Sequence, residues 1–85
     1  MKSFNYIITD EIGIHARPAG LLAKEAKTIT SKVTLSCNGN SAEATKLIAV
    51  MSLGVKKGNE VMVTVEGEDE ETAIVKLEDF FKSNL

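Results

Sequence analysis

Lys32-Val33-Thr34-Leu35-Ser36-Cys37-Asn38-Gly39-Asn40-Ser41-Ala42-Glu43 is the stretch on which the fold turns. Val33, Leu35 and Cys37 alternate with polar residues, the period of a strand that buries one face. Asn38-Gly39 follows, two residues that tolerate positive φ and so favour a tight two-residue hairpin. The pattern predicts antiparallel strands over 32–37 and 40–43. Cys37 falls at an inward strand position and is expected to be a buried structural thiol. It is the only cysteine, so it forms no intrachain disulfide and offers no second thiol for a metal cage.

Outward from the hairpin the pattern stays regular. Phe4, Tyr6 and Ile8 alternate with Ser3, Asn5 and Ile7, which predicts a first strand over 3–8. From Ala16 to Lys27 the apolar residues Ala19, Leu22, Ala23 and Ala26 recur at helical spacing. The segment Lys46-Leu47-Ile48-Ala49-Val50-Met51-Ser52-Leu53 ends at Gly54 and reads as a two-turn helix with a glycine stop. It is unusually apolar for its length, so part of it is expected to remain exposed as a contact surface. Lys57-Gly58-Asn59 reads as a turn, and Val61, Val63 and Val65 alternate in a last strand. Glu68, Asp69, Glu70 and Glu71 then gather where a helix begins, as expected near the positive end of its dipole; calcium-loop spacing is missing. Ala73, Ile74, Leu77, Phe80 and Phe81 supply that helix's inward stripe. The order is βαββαβα. It predicts an α+β fold, a four-stranded antiparallel sheet covered on one face by three helices.

With 85 residues there is apolar surface for one core and one domain, spanning 1–85. No apolar run is long enough for a membrane span, so direct membrane insertion is not expected. The start, Met1-Lys2-Ser3-Phe4, lacks the regions of a secretory signal, which points to the cytoplasm. Charge is uneven: residues 1–59 hold eight Lys/Arg against four Asp/Glu, and residues 60–85 hold two against eight. The basic portion suits acidic partner proteins or phosphate. A sequence pI near 5.3 with no interleaving of aromatic and basic residues argues against nucleic acid.

The only histidine, His15, stands just ahead of the first helix, and Pro18 occupies its first turn. A proline there leaves no helical hydrogen bond unmade. Free N–H groups at such a start, those of Ala16 and Arg17 here, form a receptor for anions. The Arg17 guanidinium can hold phosphate oxygens in bidentate fashion, and a neutral imidazole nitrogen can attack phosphorus. These residues alone leave two readings open, a phosphoryl-accepting histidine and a structural, helix-capping one. No P-loop or nucleotide fingerprint is present, so a phosphoryl group would come from another phosphorylated protein or an unrelated donor. On the outer face of this helix, Arg17, Gly20, Leu21, Lys24 and Lys27 form a basic strip with an apolar centre. A glycine inside a helix costs roughly 1 kcal/mol relative to alanine. Gly20 either admits a partner closely or is tolerated drift.

The sequence closely resembles the histidine-containing phosphocarrier family, HPr, of the bacterial sugar phosphotransferase system. The resemblance rests on Gly13-Ile14-His15-Ala16-Arg17-Pro18-Ala19 and Val50-Met51-Ser52-Leu53-Gly54, with matching element order over essentially the whole chain. It implies an open-faced β-sandwich in which His15 accepts phosphate on Nδ1 from enzyme I, itself charged by phosphoenolpyruvate, and passes it to sugar-specific IIA domains or proteins. Arg17 would steady the phosphate. The partner surface would comprise Ala16, Gly20, Leu21, Lys24, Lys27, Leu47, Ile48 and Met51, with Lys46 beside it. No metal or cofactor is implied, and the chain is expected to be a monomer that works through a phosphohistidine intermediate rather than a free-standing enzyme. The departure lies at position 46, where many Gram-positive members carry a serine modified by a regulatory kinase and this chain has Lys46 after Thr45. Lys46 adds positive charge, and modification of this site by an ATP-dependent kinase is not expected. Rival readings are a binding module without phosphate chemistry, a carrier devoted to nitrogen or fructose pathways, and a free-standing hydrolase.

Overall fold

The hairpin read around Asn38-Gly39 forms with the expected boundaries. A computed structural model describes residues 1–85, in the order β1 (Lys2–Ile7), α1 (Ala16–Lys27), β2 (Lys32–Cys37), β3 (Asn40–Glu43), α2 (Leu47–Ser52), β4 (Glu60–Glu66) and α3 (Glu70–Asn84). Asn38 has φ 53° and Gly39 φ 83°, the two positive values that a tight turn matched to strand twist needs.

The four strands form one antiparallel sheet in the order β1-β4-β2-β3. Both β1 and β2 run antiparallel to β4, so they are parallel to each other, and the crossover between them carries α1. The register lines up Phe4, Val63, Leu35 and Ala42 as one inward row across the sheet. The adjacent row, Ser3, Thr64, Thr34 and Glu43, faces outward. Because side chains alternate with period two, the inward rows are apolar except for the exposed Lys2 and Asn40 at their ends, and they pack beneath the helices. The other face stays open. This is the open-faced sandwich expected from the sequence.

One continuous core unites the sheet with the helices. Phe81 of α3 is fully buried and meets Phe4 and Tyr6 of β1 edge to face, with ring centroids 5.6 Å away in each case. Burying a phenylalanine stabilises by about 1.5–3 kcal/mol, and each favourable ring pair adds about 0.5–1.5 kcal/mol. Ala19, Leu22 and Ala26 of α1 lie in the same core, as the helical spacing predicted. Cys37 is buried.

Three readings need adjustment. The first strand runs Lys2–Ile7, one residue earlier than the 3–8 expected from alternation. The second helix runs Leu47–Ser52, with Lys46 and Leu53 as its caps, one residue shorter at each end than the apolar run. Gly54 follows at φ 64° and donates its N–H to Met51 O at 3.2 Å, the left-handed stop anticipated there. In the acidic cluster, Glu70 and Glu71 occupy the first turn of α3, but the Asp69 side chain does not cap that helix. It accepts the N–H groups of Thr30 at 3.0 Å and Ser31 at 2.9 Å, and the Ser31 hydroxyl. Asp69 therefore latches the α1–β2 turn to the start of α3.

Candidate functional site

The chain reaches His15 through a tightly held loop. Thr9 and Asp10 donate their N–H groups to the Leu85 backbone oxygen at 2.6 and 2.8 Å, and the Thr9 hydroxyl donates to the same atom at 3.0 Å. Gly13 adopts φ +82°, where a Cβ would overlap the Val55 carbonyl oxygen and stand 2.7 Å from Lys56 Cα. Only glycine fits that close approach. The Ile14 N–H then donates to Val55 O at 3.1 Å, and Ile14 is buried. His15 emerges next.

His15 is the N-cap of α1, in extended conformation with φ −115° and ψ −171°, and its side chain makes no capping hydrogen bond. It is half-buried. Its carbonyl accepts the first helical bond, from the Ala19 N–H at 2.9 Å. Pro18 has no N–H, so the amides of Ala16 and Arg17 are the free donors of the first turn. Both residues are exposed. No acidic side chain occupies this turn, so the positive end of the dipole is left unneutralised. The start of α3 differs, since Glu70 and Glu71 lie on its first turn.

The outer face of α1 is as read. Arg17, Leu21, Lys24 and Lys27 are exposed and Gly20 is half-exposed, and none of the basic residues enters an ion pair. A Cβ at Gly20 would meet nothing within 4 Å, so the fold itself does not require a glycine there. Helix α2 packs against α1 and buries only Val50. Ile48 is 73% exposed, and Leu47 and Met51 are each 38% exposed. Lys46 and Ala16 are exposed as well. The two helices thus bring the basic strip and an apolar patch onto neighbouring surfaces, a composition suited to docking an acidic protein with an apolar contact.

Two exposed residues, one in the loop that leads to His15 and one packed against it, were not singled out in the sequence. Ile12 is 67% exposed at the tip of the loop, where the Asp10 carboxylate accepts its N–H at 2.9 Å. The spacing Asp10-x-x-Gly13 was the available signal, because aspartate and glycine at the first and last positions of a four-residue segment favour a turn that leaves its central side chains outward. Lys56 is exposed, and its backbone lies against Gly13; only the tertiary fold reveals that. Three surface depressions, of about 330, 570 and 300 Å³, lie between the end of α1 and β2, at the start of α3, and on the open sheet face. None is lined by His15 or Arg17. The histidine stands on an open surface rather than in a cleft that encloses a small substrate.

Comparison with known proteins agrees with this geometry. Residues 2–83 match the family model described as the PTS HPr component phosphorylation site. The phosphocarrier protein HPr of Mycoplasma capricolum is 39% identical over 74 residues, covering 87% of this chain and 83% of the relative. A solved histidine-containing phosphocarrier protein of a mycoplasma superposes with TM-score 0.93 at 34% identity, over 96% of this chain and 93% of the other. HPr of Thermoanaerobacter tengcongensis gives TM-score 0.92 at 37% identity, over 98% and 93% of the two chains. With a family model spanning nearly every residue and relatives alike in both sequence and fold, the chain belongs to the HPr family of phosphocarrier proteins.

Proposed function

We propose that residues 1–85 act as a single carrier domain of a sugar phosphotransferase system, with His15 accepting a phosphoryl group from phospho-enzyme I and donating it to IIA proteins. The observation that carries this reading is the placement of the only histidine. It caps an exposed helix start whose first turn holds two free amides and no acidic side chain, and its ring makes no capping hydrogen bond. In the transfer, an imidazole nitrogen attacks phosphorus, the new N–P bond forms, and the bond to the donor breaks with its electron pair leaving on the donor. A second attack, by the acceptor's nucleophile, returns the imidazole to its starting state. The Ala16 and Arg17 amides and the Arg17 guanidinium would spread the charge that arrives.

Docking is assigned to Ala16, Gly20, Leu21, Lys24 and Lys27 together with Lys46, Leu47, Ile48 and Met51. Their exposure and their mixture of cations and apolar side chains support it. A single surface serving donor and acceptor in turn requires weak, rapidly exchanging complexes, with charge aiding the encounter. The same reading places a monomer in the cytoplasm, where both partners would meet it. No helix of the chain is long and apolar enough to cross a membrane.

Incubation with enzyme I and phosphoenolpyruvate, followed by intact mass measurement, tests the proposal. The expected result is the gain of one acid-labile, base-stable phosphate, absent in His15→Ala. No gain in the natural chain, or an undiminished gain in His15→Ala, would overturn it. Turnover of a small phosphate ester by the chain alone would favour a hydrolase instead.

A further inference from the structure

The amide, the carbonyl and one carboxylate oxygen of Asp10 are all committed to the loop that delivers His15. Its N–H donates to the Leu85 backbone oxygen at 2.8 Å, its carbonyl accepts the Gly13 N–H at 3.1 Å, and its Oδ1 accepts the Ile12 N–H at 2.9 Å. The result is a closed turn over residues 10–13, anchored at one end to the last residue of the core and at the other to Val55. His15 has no capping hydrogen bond of its own. Its ring is therefore placed by the backbone that precedes it, and within residues 10–13 the one side chain that hydrogen-bonds that backbone is Asp10's.

We infer that Asp10 is a positioning residue for phosphoryl transfer, acting through the 10–13 turn and Gly13 to hold the His15 backbone in register with the first amides of α1. The inference rests on the proposed carrier role of His15. Electrostatics alone would select against a carboxylate five residues from an incoming phosphate, since like charges repel. What the aspartate supplies is an acceptor for the Ile12 amide, and the side-chain-to-backbone turn it makes restricts the chain without a covalent link. Misplacement of a reacting group by about 1 Å can cost on the order of 100-fold in rate, so a loosened turn should register in transfer while docking, which lies on α1 and α2, is spared.

The test compares Asp10→Ala and Asp10→Asn with the natural chain in transfer from enzyme I, measuring kcat and KM separately alongside Tm. Asparagine keeps the acceptor oxygen and removes the charge; alanine removes both. The expected result is a fall in kcat of roughly tenfold with KM nearly unchanged in Asp10→Ala, and recovery to near the natural rate in Asp10→Asn. Three results would overturn the inference: an unchanged kcat in Asp10→Ala, faster transfer in both variants, which would make the carboxylate merely a repulsive charge, or a loss confined to KM. If the natural chain takes up no phosphate at all, the carrier reading fails first, and the two failures are distinguished by that control.

Discussion

Replacing Gly20 with alanine separates what the fold needs from what a partner needs. Gly20 lies in the middle of α1, and a Cβ there would meet no atom within 4 Å. Alanine therefore introduces no overlap, while it removes backbone freedom from the unfolded chain and favours the helix by about 0.8–1 kcal/mol. For a domain of this size, 1 kcal/mol corresponds to roughly 4–8 °C in Tm. Gly20→Ala is accordingly expected to melt about 4–8 °C higher and to require more urea for unfolding with an unchanged m-value. The flanking residues Arg17, Leu21 and Lys24 are exposed on the same side, so the added methyl would stand in the centre of the assigned docking face. Titration calorimetry against enzyme I should show weaker binding, by a few-fold, because the two backbones no longer approach as closely. A Tm that stays level or falls would refute the helix argument. Stabilisation with full retention of affinity would instead leave Gly20 as tolerated drift and remove it from the partner surface.

At Gly13 the opposite outcome is expected. Gly13→Ala forces a side chain against Val55 at φ +82°, and strain of that kind costs more than about 2 kcal/mol, or roughly 8–16 °C in Tm; melting within 2 °C of the natural chain would show that the loop yields freely. Arg17→Glu should slow phosphoryl transfer by roughly 10- to 100-fold, since hydrogen bonds to charged groups are worth about 1.5–3 kcal/mol, with Tm almost unmoved because the side chain is exposed and unpaired. Extensive unfolding would make Arg17 structural. The Ser31 hydroxyl, then the Thr30 and Ser31 amides, hold the Asp69 carboxyl below its ordinary value. A folded value lower than the unfolded one contributes stability above the unfolded value, and that contribution disappears as pH falls through the folded one. Urea midpoints followed downward from about pH 4 should therefore decline more steeply in the natural chain than in Asp69→Asn; parallel curves would show that the latch carries no linkage.

What could be read in the sequence was whatever depends on near neighbours. Val33, Leu35 and Cys37 with Asn38-Gly39 specify a strand and a turn locally, and both strand boundaries fall where the alternation puts them. The basic strip on α1 was equally visible, because residues on one face of one helix are tied together by spacing alone. The apolar excess of Leu47, Ile48 and Met51 signalled an exposed surface for the same reason. Asp69 was legible only as one of four acids at a helix start; its reach to Thr30 and Ser31 depends on how α3 meets the α1–β2 turn. Gly13 could be read as part of a motif, but its contact with Val55 joins segments distant in the chain. The pairing of β1 with β4, which brings Phe4 opposite Val63, has no local signature either. Long-range contacts of this sort are fixed by the packing of the whole core and not by any single segment.

On the proposed reading, the sparseness of the site follows from the task. A carrier that bound its phosphate as strongly as possible would gain stability in the loaded state and lose it again as a barrier to donation, because tight ground-state binding does not speed the step that follows. His15 offers the phosphate two free amides and one guanidinium at an open surface, with Pro18 withholding the amide that would otherwise be third in the first turn. Water reaches such a site, so each charge contact is screened and modest. Docking changes this. When the exposed Leu21, Leu47, Ile48 and Met51 are covered by a partner, water is expelled from the neighbourhood of His15 and the same few donors act in a lower dielectric, where they count for more at the moment of transfer. The apolar patch and the bare helix start are then parts of one device, and removing the patch, for example in Ile48→Ser, should slow transfer even when partner concentration is raised to saturation. If saturating partner restored the full rate, the patch would contribute affinity alone, and the low-dielectric argument would fail.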